Sequence, residues 1–357
     1  MKPLCLILSF IVCVESFATV RTVSNNPSTV AQYSSIQAAV DASSSGDTIY
    51  VQGSPTRYAG FTIQDKRLTI IGPGWSPAQN FQPFKAVIET NVNINGAASR
   101  KTELQGLDFF STVSINTSHP DSLRFIRNQF ESALYFGNAG TYNGYVYEGN
   151  WFDEAWVSLS AQVIVTNFLF RNNIFYAIST NGNVTGFSNT QNVYFDHNLW
   201  YGPAGTATAP CFGTISRGMH LSNNIFVHRN AATNNTLSIF NNNITYGAGV
   251  NNPWDIAYGN SDAGGNVADQ DPQMASQVLV NNGMNSPVLN FTIVAGPANN
   301  SGSDQKDMGL LYDATGSLNW SNSNMSRLPV MVGMNILNPT ITPGGTLNVQ
   351  VDARRNN

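Results

Sequence analysis

Charge is scarce in this chain. Seventeen basic and 21 acidic residues among 357 make up 11% of the sequence and leave a net charge of -4. That balance provides no basic footprint for a phosphate backbone, so nucleic acid is not an expected partner. Histidine is rarer still. His119, His197, His220 and His228 are at least eight residues apart and form no His-Glu-x-x-His or related metal motif. There are three cysteines, and only Cys211 lies outside the first 18 residues. Long apolar runs are also missing, apart from the 11 residues from Leu4 to Val14. This run is too short to span a bilayer, which leaves no expected transmembrane segment. It follows Met1-Lys2-Pro3 and precedes Glu15-Ser16-Phe17-Ala18, the layout of a secretory signal over residues 1–18 with cleavage after Ala18. Its removal would leave Cys211 alone, which excludes an internal disulfide framework in a protein bound for the periplasm, the cell surface or the extracellular medium. No long stretch carries a helical period, which excludes a helical enzyme.

Asparagine is abundant, with 45 residues, or about one in eight. Many of them recur in a fixed setting, with an apolar residue three positions before and an aromatic two positions after. The series is Phe125-Asn128-Phe130, Tyr147-Asn150-Phe152, Phe170-Asn173-Phe175, Phe195-Asn198-Trp200 and Leu221-Asn224-Phe226, with weaker copies at Asn243 and Asn266. The intervals are 22, 23, 25, 26, 19 and 23 residues. Leu123, Tyr145, Phe168, Val193 and Met219, each five before the Asn, add a second apolar column with the period of a strand. A period near 23 built of short strands predicts a solenoid of three strands and three turns per coil, with coils stacked about 4.8 Å apart. Asn at a constant bend would pair with its counterpart one coil away and satisfy the backbone where the chain turns.

Before the repeats, Ser34-Ser35-Ile36-Gln37-Ala38-Ala39-Val40-Asp41-Ala42 predicts one short helix with Ser at its N-cap. Strands are expected at 48–51, 61–63 and 68–71, with an excursion over 75–84 marked by Pro77 and Pro83. Together with Gly46-Asp47-Thr48-Ile49-Tyr50-Val51 and Leu68-Thr69-Ile70-Ile71-Gly72, this opening resembles the capping helix and first strands of the right-handed parallel β-helix proteins of the pectin-lyase-like superfamily. Asp271-Pro272, Ser286-Pro287 and Asp307-Met308-Gly309 resemble the closing portion of its bacterial members. The resemblance implies an all-β, single-stranded parallel β-helix over 19–313, and 314–357 is expected to add a C-terminal β cap of two strands, Ile336 to Thr342 and Thr346 to Val351. A monomer is expected. The superfamily includes polysaccharide lyases, hydrolases and esterases beside surface proteins without activity, so the resemblance leaves catalysis open. The Asp pair with His-Gly of polygalacturonases and the Arg-Pro-Arg-like segment of pectate lyases are absent.

The repeat allows side chains to be projected onto the outside of the coils. Glu148, Arg171 and Asp196 fall two positions before successive ladder Asn residues, a solvent-facing column suited to clamping substrate or, more blandly, to solvation. Glu131, then Asp153 and Glu154 one coil later, form a carboxylate group at the spacing used in glycoside hydrolysis, with Trp156 and Tyr176 nearby as sugar-stacking surfaces. The longest interval, from Asn198 to Asn224, predicts a loop overhanging a groove, where His197, Arg217 and His220 would bind substrate or abstract a proton. Asn260, Asp262, Asp269 and Asp271 are the densest oxygen-rich segment and the candidate ligands for calcium, an ion that lyases of this superfamily use with uronates. The expected function is an exported carbohydrate-binding or carbohydrate-active protein, hydrolase or lyase, whose partner is a polysaccharide or cell-surface glycan. The alternative is a noncatalytic structural or adhesion β-helix.

Overall fold

The computed structural model describes residues 18–354 apart from 77–83, 179–181, 206–208, 215, 249–253, 255–257, 287, 313–318, 323–329 and 339. The chain winds as a parallel β-solenoid. Each full coil contributes one strand to each of three parallel sheets, which run along the axis of the stack. Sheet 1 passes from Val20–Val23 through Thr48–Val51 and Arg124–Ile126 to Thr190–Asp196 and Ser261–Asp262. Sheet 2 runs from Val87–Ile88 through Asp108–Phe109, Gln129–Phe130, Trp151–Asp153, Ile174–Tyr176, Leu199–Tyr201 and Ile225–Val227 to Ile244–Tyr246. Sheet 3 runs from Thr62–Gln64 to Val184–Thr185.

The N-terminal mouth is closed by the expected helix, Ile36–Ala42, where Ser35 Oγ accepts from Ala38 N at 3.2 Å and Ile36, Ala39 and Val40 face the core. The capping serine satisfies one of the amides that the first turn would leave open. Inside, both projected apolar columns are buried, and their rings stack from coil to coil. Tyr147 lies 4.3 Å from Phe170, and Phe170 lies 4.4 Å from Phe195, each pair within about 5° of parallel. A second stack under sheet 2 joins Phe130, Phe152, Phe175 and Trp200 at 4.9, 4.7 and 4.0 Å. In-register parallel pairing repeats the same side chain at the strand spacing, so aromatic rings meet face to face.

The asparagine ladder runs unbroken through Asn128, Asn150, Asn173, Asn198, Asn224, Asn243 and Asn266. Each rung is satisfied from three sides. Asn173 Oδ1 accepts from Asn150 N and Asn150 Nδ2, and its own Nδ2 donates to Tyr147 O and Asn198 Oδ1. The residue before each rung turns the corner from sheet 1 to sheet 2 in the left-handed conformation: Arg127, Gly149, Asn172, His197, Asn223, Asn242 and Gly265 have φ between 51° and 72°. Asn tolerates that region better than most residues, which explains the doublets Asn172-Asn173, Asn223-Asn224 and Asn242-Asn243.

The segment expected to close the stack does something different. After Asp271 the chain turns back and runs along the outside of sheet 2. Met274, Val280, Phe291, Ile293, Met308 and Leu310 pack there against Ile174, Leu199, Tyr201, Ile225, Val227 and Ile244. The corner residues fasten it: Asn172 Oδ1 accepts from Leu311 N, Asn223 Oδ1 from Ser303 N, and Asn242 Nδ2 donates to Ser301 O. The chain ends in a small antiparallel C-terminal sheet that caps the fold. Its strands are Val330–Ile336 and Val349–Arg354, so the first lies a whole strand earlier than Ile336 to Thr342. Asn338 at the turn side explains the shift, because its side chain bonds Thr346 O and Asn348 N and extends the hairpin past the paired strands.

Candidate functional site

The outer face of sheet 2 changes character along the stack. One outward column reads Asp108, Gln129, Trp151, Ile174, Leu199, Ile225, Ile244, and two positions further on Glu131, just past its strand, Asp153, Tyr176, Tyr201, Val227 and Tyr246 make a second. The apolar half lies under the returning segment. In the polar half Glu131 and Glu154 are exposed and Asp153 is half-buried, while Asp108, Gln129 and Trp151 are buried beside Trp75, which packs edge-on to Trp151 at 6.3 Å and stacks on Trp320 at 5.7 Å.

In that polar half, Asp108 is 2% exposed and forms an ion pair with Lys85, with Nζ 3.0 Å from Asp108 Oδ2. Lys85 also donates to Gln129 Oε1 at 2.5 Å, which turns the Gln129 amide so that its Nε2 donates to Glu131 Oε1 at 3.3 Å. Asp108 Oδ1 is buried with no hydrogen-bond partner among the described residues. Glu131 is a side-chain hydrogen-bonding neighbour of Asp108, and burial raises the Asp108 carboxyl as well, opposed by the charge of Lys85. Burial of the Glu131 carboxyl, then the negative charge and hydrogen bond of Asp108, raise its pKa to about 7. Asp153, beside Glu131 on the next coil, is raised by burial, opposed by a hydrogen bond from Asn285 at 2.6 Å. Glu154 is exposed, at a left-handed corner with φ 52°, and is raised by its burial and then by the charge of Asp153. The fold therefore gathers Glu131, Asp153 and Glu154 into one surface and adds Lys85, Asp108, Gln129 and Asn285. Tyr176 is buried beside them, and Trp156 is exposed.

The other column, Glu148, Arg171 and Asp196, is in register as projected. Only Glu148 is closed to solvent, whereas Arg171 and Asp196 are half-buried. Glu148 is 4% exposed and pairs with Arg171 at 3.1 Å, on the side of the stack where the returning segment is fastened. Asp196 accepts from Ser222 Oγ and Asn223 Nδ2 and bonds His197 Nδ1 at 3.0 Å. Burial pushes its pKa up, but these bonds outweigh burial and hold it below the usual carboxylate range. His197 is a buried corner residue, with Nε2 3.5 Å from Asp304 of the returning segment. His220 stacks on Tyr194 at 4.8 Å, and exposed Arg217 belongs to a short strand that pairs with Asn235–Thr236. Among the described residues, no hydrogen bond or ion pair joins Arg217 to His220 or His197. The long interval is wall where it is described, not an overhanging loop: Phe212 bridges to Val184, and Cys211 is fully buried, its thiol pushed up to about 12.

Each of the four calcium candidates accepts local hydrogen bonds through its Oδ1. Asn260 Oδ1 accepts from Ser238 N, Asp262 Oδ1 from Gly264 N and Asn266 Nδ2, Asp269 Oδ1 from Gly247 N, and Asp271 Oδ1 from Gln273 N. Among the described residues, no group of three or more His, Cys, Asp or Glu side chains is placed to hold a metal ion.

The polar patch was only half legible. Glu131, Asp153 and Glu154 stood out beside the strong repeat, whereas Asp108 sits one coil earlier, where Leu107 takes the place of the ladder Asn. Extending the register by one coil would have aligned Asp108 with Gln129. Asn285 had no such signal.

Among solved structures, the crystal structure of pectate lyase Pel9A is similar to this chain, with 14% identity and a TM-score of 0.37, covering 85% of this chain and 96% of that one. No family model matches, and no curated protein matches. No helix among the described residues is long and apolar enough to cross a membrane.

Proposed function

We propose that the protein is exported and acts on polysaccharide, cleaving glycosidic bonds at the carboxyl cluster of sheet 2. Glu131 is the proton donor and Asp153 the ionised partner. The observation that carries this reading is the pair itself: a carboxyl raised to about 7 by its burial and then by Asp108, one coil from a second carboxylate, beside the Trp75–Trp151 contact. The fold is consistent with carbohydrate-active and carbohydrate-binding β-helix proteins. Adjacent coils stack about 4.8 Å apart, so neighbouring carboxyls on them suit the short separation of about 5–5.5 Å that goes with retention of configuration better than the wider one that goes with inversion. Glu131 gives its proton to the glycosidic oxygen as that bond breaks, Asp153 bonds the anomeric carbon, and a water deprotonated by Glu131 then releases the sugar and regenerates both groups.

The test is a panel of neutral and acidic polysaccharides, assayed for new reducing ends and for unsaturated uronates. Reducing ends without unsaturation are expected. Glu131→Gln and Asp153→Asn are each expected to lower the rate by about 10²–10⁴-fold. Activity should decline as pH rises through about 7, where Glu131 loses its proton. Unsaturated products would replace hydrolysis by elimination, and binding without cleavage would leave a glycan-binding protein, the reading favoured by the exposed rings of Tyr135 and Trp156.

A further inference from the structure

The geometry points to Asn285, carried by the returning C-terminal segment, as a positioning residue for Asp153 that holds its carboxylate in place for reaction. The inference rests on the reading of Asp153 as a reacting group. Asn285 Nδ2 donates to Asp153 Oδ1 at 2.6 Å across 132 residues of sequence, and Asn285 Oδ1 accepts from Tyr201 Oη at 3.1 Å. The opposite amide orientation would set a carbonyl against the carboxylate, so the tyrosine donates and the amide N–H faces Asp153. Tyr201 is buried in sheet 2 two coils beyond Asp153, which ties the amide to the rigid stack instead of leaving it to the loop that carries it.

The charged and titratable neighbours explain why Asp153 needs this contact. Asp108 opposes its ionisation, Lys85 and a hydrogen bond from Gln129 favour it, and Glu131, Glu154 and the Tyr176 and Tyr201 hydroxyls lie close enough to feel its charge. Burial raises Asp153 most, and the Asn285 hydrogen bond is the largest influence in the other direction. A carboxylate that attacks carbon must be ionised while Glu131 keeps its proton, and Asn285 favours that division because its N–H binds the charged form more strongly.

The experiment follows the Asp153 carboxyl directly, by carbon-13 titration of selectively labelled full-length protein, beside a pH profile of cleavage. In Asn285→Ala the Asp153 midpoint is expected to rise. Asn285→Asp keeps the shape but presents an acceptor, so the rise should be larger. Tyr201→Phe, which frees the amide to turn, should move the midpoint the same way by less. The acid limb of the activity profile follows, with cleavage near pH 5 falling about tenfold and recovering toward neutrality. A latch that merely holds the segment down would lower the melting temperature without moving the midpoint. An unmoved midpoint in the folded Asn285 variants overturns the inference. A moved midpoint with no cleavage of any polysaccharide upholds the contact and overturns the proposed hydrolysis instead.

Discussion

A ladder asparagine has four hydrogen-bonding positions, and at Asn173 all of them are used inside the protein. Truncation to Ala would orphan Asn150 N, Tyr147 O and parts of two neighbouring amides, all in a buried corner. Each unmet buried group costs about 1–3 kcal/mol, so Asn173→Ala is expected to lose about 3–5 kcal/mol in reversible denaturant unfolding. Asn266, the last rung, is half-buried and has one fewer neighbour to support, and its Ala variant should lose about 1–2 kcal/mol. Equal losses at the two positions would mean that the ladder is not what holds the corner. This row was readable in the sequence because one backbone requirement recurs every coil and only one side chain meets it well. The corner residue beside it was not readable, because its requirement is a left-handed backbone, which Gly, Arg, His and Asn all meet here. His197 looked chemical for this reason, while its position is explained by the turn it makes and the two carboxylates that flank it.

Strands could be placed from the period, but a period says nothing about a segment that packs outside the coils. Residues 274–311 carry no repeat, and their apolar positions answer a surface instead of a neighbour in register. Gly309 shows how close that packing is. It has φ 79°, donates to Asn223 O at 2.7 Å, and a Cβ there would lie 2.6 Å from Ile225 Cδ1. Gly309→Ala is therefore expected to cost about 2–4 kcal/mol, from backbone strain and overpacking together. Ile225→Val shortens the side chain but leaves the backbone term, so it should recover only part of the loss in the double variant, with a coupling of about 1 kcal/mol by a double-mutant cycle. Strict additivity would place the segment away from sheet 2.

At the scale of the molecule, the returning segment packs over the apolar half of sheet 2, and the candidate site lies where that half meets the polar one. The solenoid alone cannot keep the apolar half dry. Ile174, Leu199, Tyr201, Ile225, Val227 and Ile244 are all buried now, and each would contribute about 1.5–3 kcal/mol of lost burial if laid bare, on the order of 10 kcal/mol together. That is as large as the whole stability of many domains. Removal of residues 271–357 is thus expected to give a chain that aggregates or binds a hydrophobic dye strongly, whereas the same truncation carrying Leu199→Lys and Ile225→Lys should regain solubility. The repaired chain would still lack Asn285, so its Asp153 should titrate higher than in the full protein even though the coils beneath are intact. A truncated chain that is monodisperse without the lysines would show that the covered face is stable in water. Recovery of the native Asp153 titration in the repaired chain would show that the coils alone set the chemistry of the carboxyl pair.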